Sequence, residues 1–300
     1  FLFIYEGSAM IPLNFQKQSN IYLIGFVAYF IFSLGDTLIK IVGTTYPYTL
    51  IFAISTFTGS LPVIIYLIFK KNFQELKTKK YLLHLLRGIL MAIVAYSILK
   101  GIILLPLSIS YPILLSAPVI LSFMGIIFLK EKINVYKILS LIIAMLGVFL
   151  VSGFSINQGY NFEGILLLGI GAICVAVLDL SVRLYGKNES TLSLSFYSLF
   201  ISSIIFTILS FGSWTKIAFD DLLLLISGGA LDGIGMLILV FSLKRIEASY
   251  ISITHYSQII YGLIIGYLVF NHTPSYMELF GGVFVLSSGW LIYLKLNQSN

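Results

Sequence analysis

With 300 residues, 59% of them hydrophobic and only 10% charged, and a mean hydropathy of +1.02, the chain is too apolar for a water-soluble fold, in which about a quarter of residues are charged. A bilayer core about 30 Å thick takes roughly 20 apolar residues per helix, so the length supplies about ten spans and leaves no soluble catalytic domain. The pI near 9.2 and net charge of +6 would suit nucleic acid only if the charges clustered on one folded face; in a membrane chain they report on the loops. The single Cys174 lies in an apolar run, which excludes a disulfide framework and a cysteine-based metal site within the chain.

Residues 1–19 read as an N-terminal segment with Met10 as a candidate start and no basic stretch of the kind that opens a cleaved signal peptide. Apolar runs of spanning length then follow at Ile21–Ile41, Tyr48–Phe69, Tyr81–Ile103, Ser110–Leu129 and Val135–Val151. A second set follows at Phe162–Leu184, Leu192–Phe211, Leu222–Leu243, Tyr250–Phe270 and Tyr276–Leu294. These runs are apolar on every face and twice the length of barrel strands, so the expected fold is an all-α integral membrane protein of ten transmembrane helices. The connections carry turn chemistry, as in Asn157-Gln158-Gly159 and His272-Thr273-Pro274-Ser275, and Ser275 with Glu278 has the spacing of a capping box. Pro112 and Pro118 predict a kink in the fourth span; the ninth has no matching prolines.

The cations sort by loop. Of the 18, thirteen fall on one side (Lys17, the Lys70–Lys80 group, Lys130, Lys132, Lys137, Lys187, Lys244, Arg245 and Lys295), one, Lys216, on the other, and four within spans. The bias predicts that both termini are cytoplasmic.

The chain also repeats itself. Asp36-Thr-Leu-Ile-Lys40-Ile-Val-Gly43 matches Asp179-Leu-Ser-Val-Arg183-Leu-Tyr-Gly186 at an offset of 143, and Phe128-Leu-Lys-Glu131 matches Val269-Phe-Asn-His272 at 141. Two five-span halves, 20–153 and 160–296, must enter the membrane from opposite faces because five is odd. Such inverted repeats are a recurring plan for alternating-access transport, with the substrate near the midplane between them.

Intramembrane charges are costly and so are candidate functional residues. Depth along the helices puts Asp36 level with Lys100 near one face and Arg87 level with Asp179 near the other, which suggests two gating ion pairs. The competing reading pairs Asp36 with Lys40 and Asp179 with Arg183 one turn apart. Asp232, among Gly228, Gly229, Gly233 and Gly235, lies near the midplane as a candidate substrate- or proton-binding carboxylate. His255, Tyr256 and Gln258 open the ninth span, and Tyr96, Tyr111 and Tyr256 offer aromatic faces to a cation. No phosphate-binding loop occurs, and His84, His255 and His272 are too dispersed to chelate one metal, so neither cofactor nor metal nor catalysis is expected.

The paired halves, the stretch from Pro118 to Phe128-Leu-Lys-Glu131 followed by Leu146-Gly147-Val148, and the Phe270-Asn-His-Thr-Pro274 equivalent resemble the drug/metabolite transporter superfamily in its EamA-domain branch. Within it, His84-Leu-Leu-Arg87-Gly88, Val177-Leu-Asp179, Glu189-Ser190, Phe196-Tyr197-Ser198 and Gly228-Gly229 resemble bacterial S-adenosylmethionine uptake carriers. His255 and Gln258 stand where those carriers tend to have Arg and Glu, and His272 stands where the family has Glu. The resemblance implies a secondary transporter of a small polar or cationic metabolite, S-adenosylmethionine or amino-acid-like, in the bacterial inner membrane. Export of amino acids or drugs is the alternative, with lipid translocation third. The lipid bilayer is the expected partner, nucleic acid is not, and a homodimer is left open.

Overall fold

The computed structural model describes residues 15–43, 45–105, 107–132, 134–152, 161–271 and 273–298. The described residues form twelve helices: α1 (Phe15–Val42), α2 (Tyr48–Lys70), α3 (Tyr81–Leu104), α4 (Leu107–Leu114), α5 (Ala117–Leu129), α6 (Val135–Ser152), α7 (Phe162–Tyr185), α8 (Thr191–Leu209), α9 (Phe219–Leu243), α10 (Ala248–His255), α11 (Ser257–Phe270) and α12 (Tyr276–Gln298). α4 with α5, and α10 with α11, make up the fourth and ninth spans, so the architecture is ten membrane spans in two halves. Nine of the spans are at least 18 residues long, and the fifth is the shorter Val135–Val151. The turn at Asn157-Gln158-Gly159 and His272 lie outside the described residues.

Local chemistry sets the helix ends. The Asn161 side chain accepts from the Gly164 amide at 3.2 Å and Ser190 Oγ from the Ser193 amide at 2.8 Å, each satisfying an amide that has no partner within its helix. Ser275 and Glu278 form the reciprocal capping box expected of them, at 2.6 and 3.3 Å. Lys71, Lys130 and Asn271 stop α2, α5 and α11 in the left-handed region, at φ near 50°.

Two expected single spans are broken. The fourth turns at Leu115–Ser116, with Pro118 in the first turn of α5, where a missing amide costs nothing. The ninth begins at Ala248, ahead of the expected Tyr250, and breaks at Tyr256 without a proline.

Large apolar side chains such as Ile127, Leu268 and Trp290 point outward, while many serines and alanines are buried inside among leucines and isoleucines. That is the distribution expected where lipid, rather than water, surrounds the bundle. The packing obeys the exchange of halves. α1 runs along α9 as α3 runs along α7, α2 on α9 is matched by α8 on α3, and the equivalent pairs α2–α8 and α6–α12 meet each other. Among the contacts that lack a comparable counterpart, α5 packs on α10 toward the end bearing the lysine-rich loops, whereas α4 and α11 do not pack comparably at the opposite end. The fourth and ninth spans therefore meet at the lysine-rich end.

α9 reaches α2 through glycine. A Cβ at Gly233 would lie 1.9 Å from the Gly59 carbonyl oxygen, with backbone carbons behind it. Gly233→Ala is expected to destabilise by about 1–3 kcal/mol in detergent-based thermal unfolding, since two backbones must separate. Gly262→Ala, in open space on α11, is expected to be neutral or stabilising.

Candidate functional site

Between the halves, at the breaks in the fourth and ninth spans, lies a tightly closed cavity, without room for a free water molecule, lined by Tyr29, Ala117, Pro118, Asp179, Ser252 and His255, among others. The Tyr29 ring stacks on His255 at 4.5 Å and 9°, and the Gln258 side chain bonds to His255. Ser252 and Ser122 share a hydrogen bond of 3.0 Å across the α5–α10 contact.

Asp179 is 6% exposed and makes no hydrogen bond or ion pair within 4.0 Å among the described residues. Its neighbouring charge is Arg87, only 1% exposed. The guanidinium is occupied elsewhere. Nη1 donates to the Leu178 carbonyl at 2.7 Å and to Ser181 Oγ at 2.5 Å, Nε to Ser198 Oγ at 3.2 Å, and Nη2 to the Leu194 carbonyl at 3.4 Å. Neutral oxygens thus hold the cation, its charge balances the aspartate from nearby, and the carboxylate remains directed at the cavity.

The other expected pairings come out differently. Lys100 meets Glu163, in the first turn of α7, at 2.6 Å on an exposed surface, rather than Asp36. Tyr96, beside Lys100, lies over an outward-facing apolar groove with Ile89, Ile93 and Phe206, away from the cavity, because the opposite side of α3 packs on α7 and α8. Neither one-turn pair closes to 4.0 Å: Lys40 stands over the Phe270 ring, and Arg183 reaches Glu131 Oε1 at 4.0 Å and the Leu243 carbonyl at 3.5 Å. Tyr256 is fully buried against Leu115, Ala144 and Val148, not on the cavity. Tyr111 falls in α4, with its side chain outside the described residues.

Asp232 sits where α9 crosses α1. A Cβ on Gly35 would lie 2.1 Å from Asp232 Oδ1, which is buried without a hydrogen-bond partner among the described residues. Asp36, next in the chain and exposed, is close enough for its charge to act on Asp232.

Sequence reasoning did not single out the residues that seal the lysine-rich end. Glu131, at the start of the α5–α6 loop, accepts from the Ala248 amide at 2.8 Å, the Ser249 amide at 3.2 Å and the Ser249 hydroxyl, so it caps α10 from across the molecule. Lys137 lies 4.0 Å from Glu131 and pairs with Glu247. His84 and Glu189 meet at 2.9 Å, and Lys244 donates to the Glu189 carbonyl. Burial, reinforced by the charge of Arg245, pushes the Lys244 ammonium below its ordinary value. The available signal was the Phe128-Leu-Lys-Glu131 stretch, noticed for its repetition but not for its chemistry.

The pattern of the EamA-like transporter family matches residues 19–153 and again 162–294. The S-adenosylmethionine uptake transporter of Rickettsia conorii is 27% identical over 245 residues, covering 80% of each chain. That of Rickettsia felis is 26% identical over 274 residues, 88% of this chain and 90% of its own. The pseudopaline exporter CntI of Pseudomonas aeruginosa is 23% identical over 267 residues, 88% and 92% of the two chains. A crystal structure 13% identical in sequence superposes with a TM-score of 0.79 over 94% of this chain and 99% of its own, which shows the shared fold. Transporters rather than enzymes share this sequence, and the chain belongs to the EamA-like transporter family.

Proposed function

We propose that the chain takes up a small cationic metabolite of the S-adenosylmethionine class by alternating access in a bacterial inner membrane, with the lysine-rich end and both termini cytoplasmic. The observation that carries this reading is the cavity at the two helix breaks, where Asp179 faces the space without a partner beside the Tyr29–His255 stack. A carboxylate and an aromatic face in a dry site attract a sulfonium or ammonium group. The cavity also meets the first turn of α5 and the last of α10, whose partial charges are positive and negative; such an arrangement suits a substrate carrying both an amino group and a carboxylate. The likeness to the Rickettsia carriers supports the substrate class.

With the cytoplasmic end sealed by Glu131 and its cations, the substrate reaches the cavity from outside. Release then requires α5 and α10 to part. Export is the second reading, favoured by the likeness to the pseudopaline exporter.

Labelled S-adenosylmethionine uptake into cells producing the chain tests the proposal. Wild type is expected to accumulate label, and Asp179→Asn to lose at least about tenfold of that rate, since a charge-assisted contact of about 1.5–3 kcal/mol disappears. Absence of uptake by wild type rules out the substrate, and an unaltered rate in the variant rules out Asp179 as its anchor.

A further inference from the structure

The internal repeat allows the two halves to be compared site by site. At the offset of 143, Asp36 is the equivalent of Asp179, and Gly35 of Leu178. The helices concerned are equivalent too, α3 along α7 and α9 along α1. In the second half, Arg87 of α3 brings its guanidinium to the Leu178 carbonyl at 2.7 Å, beside Asp179. In the first half the α9 position that matches Arg87, at the offset of 141, is Gly228, against the Gly35 carbonyl, and the side chain that α9 brings to Gly35, beside Asp36, is the carboxylate of Asp232 one turn further on. One site holds a carboxylate and a cation; its counterpart holds two carboxylates.

The helices packed against α9 supply no substitute for the missing charge. On α1, Lys40 is drawn to the Phe270 ring, 5.0 Å from its centroid. α2 meets α9 here through Ser55, Thr58 and Gly59, none of them ionisable. On α7, Asp179 faces the cavity and Arg183 turns to Glu131; on α10, His255 is stacked on Tyr29. Tyr197 of α8 is engaged with the Leu76 carbonyl at the lysine-rich end. Oδ1 of Asp232 is shut off from solvent and has no hydrogen-bond partner among the described residues. A buried acceptor of that kind is costly, and two like charges at low dielectric repel strongly unless a cation lies between them.

We propose that Asp36 and Asp232 together form a seat for a small cation, a proton or an alkali ion, separate from the substrate cavity at Asp179. Asp36 is the exposed member, two turns from Tyr29 on the same face of α1 and toward the end opposite the lysine-rich loops. An ion arriving from that end meets it first and Asp232 second. The bound cation does for the first half what the Arg87 guanidinium does permanently for the second. Because it is exchangeable, its occupancy couples the α1–α9 contact to the solution on that side. This inference rests on the transporter reading for its role as a coupling site, but not for its chemistry.

The test uses the full chain, purified in detergent, with thermal unfolding as the readout. One arm compares sodium chloride with choline chloride at equal ionic strength and fixed pH. The other lowers the pH from mildly alkaline to mildly acidic in choline alone. In one arm or the other the wild-type midpoint is expected to rise, by on the order of 5 °C at saturating cation. The arm that responds identifies the ion. Asp232→Asn and the more exposed Asp36→Asn are each expected to abolish the rise, while Asp179→Asn keeps it. A wild-type midpoint that moves in neither arm overturns the proposal, as does a rise that persists in both seat variants or vanishes in Asp179→Asn. If one seat variant does not fold, the other decides. A cation-dependent midpoint in a protein that takes up no S-adenosylmethionine would count against the substrate reading alone, and uptake without any cation dependence against this seat alone.

Discussion

Replacing Arg87 with methionine is expected to cost about 3 kcal/mol of stability, at the lower end of the range for breaking a buried charge pair. Ser181 Oγ already donates to the Leu178 carbonyl at 2.6 Å, and Ser198 Oγ to that of Leu194 at 2.7 Å, so neither carbonyl loses its last partner. What the change exposes is Asp179, left as an uncompensated carboxylate at 6% exposure. The double variant Arg87→Met, Asp179→Asn is therefore expected to be more stable than Arg87→Met alone, with a coupling of about 1–3 kcal/mol. Arg87→Lys is expected to recover only part of the loss, because one ammonium cannot span acceptors on both α7 and α8. Midpoints of thermal or denaturant unfolding for the four proteins decide the matter. An additive cycle would mean that the guanidinium serves the helices and not the aspartate.

Glu131→Gln is expected to act on conformation more than on folding. The carboxylate ties the first half to the start of α10 through two amides and a hydroxyl, with Lys137 and Arg183 each 4.0 Å away. An amide keeps the shape but loses the charge, and each charge-assisted hydrogen bond contributes about 1.5–3 kcal/mol. The equilibrium is thus expected to move by about 10- to 100-fold toward a form open at the lysine-rich end. In a Cys174→Ser background, a Ser252→Cys probe on the cavity wall reports that opening. Its rate of reaction with an impermeant maleimide supplied from the lysine-rich side is expected to rise in proportion. An unchanged rate would mean that the seal is held by the α5–α10 contact itself.

Much of this fold is legible in the sequence because the bilayer demands long apolar runs, and ten were there to be counted. The break at Tyr256 was not legible: it carries neither proline nor glycine, and only the folded chain shows α10 held against α5 and α11 against α1 and α12. Pro112 and Pro118 did mark the fourth span, although the turn falls between them. Among the charges, counting along a helix gives an expected depth but no direction. Lys100, expected level with Asp36, projects to an exposed surface, where Glu163 meets it. Asp232 was recognisable as a costly midplane carboxylate, but its setting beside Gly35 required the α1–α9 crossing. Glu131 lies in a loop, where a charge ordinarily needs no explanation, so only its burial in the folded chain reveals what it does.

The two ends of the bundle differ in how they respond to the surrounding medium. Lys137 and Glu131 have side chains only 7% and 3% exposed, whereas Lys100 and Glu163 are 38% and 58% exposed. With a Debye length of about 8 Å at physiological ionic strength, dissolved salt screens the exposed pair and scarcely reaches the buried one. Rising salt therefore weakens the tie between α3 and α7 while scarcely touching the buried pair at the lysine-rich end. In the proposed alternating-access cycle, the ionic strength at the exposed end sets part of the bias between the two access states.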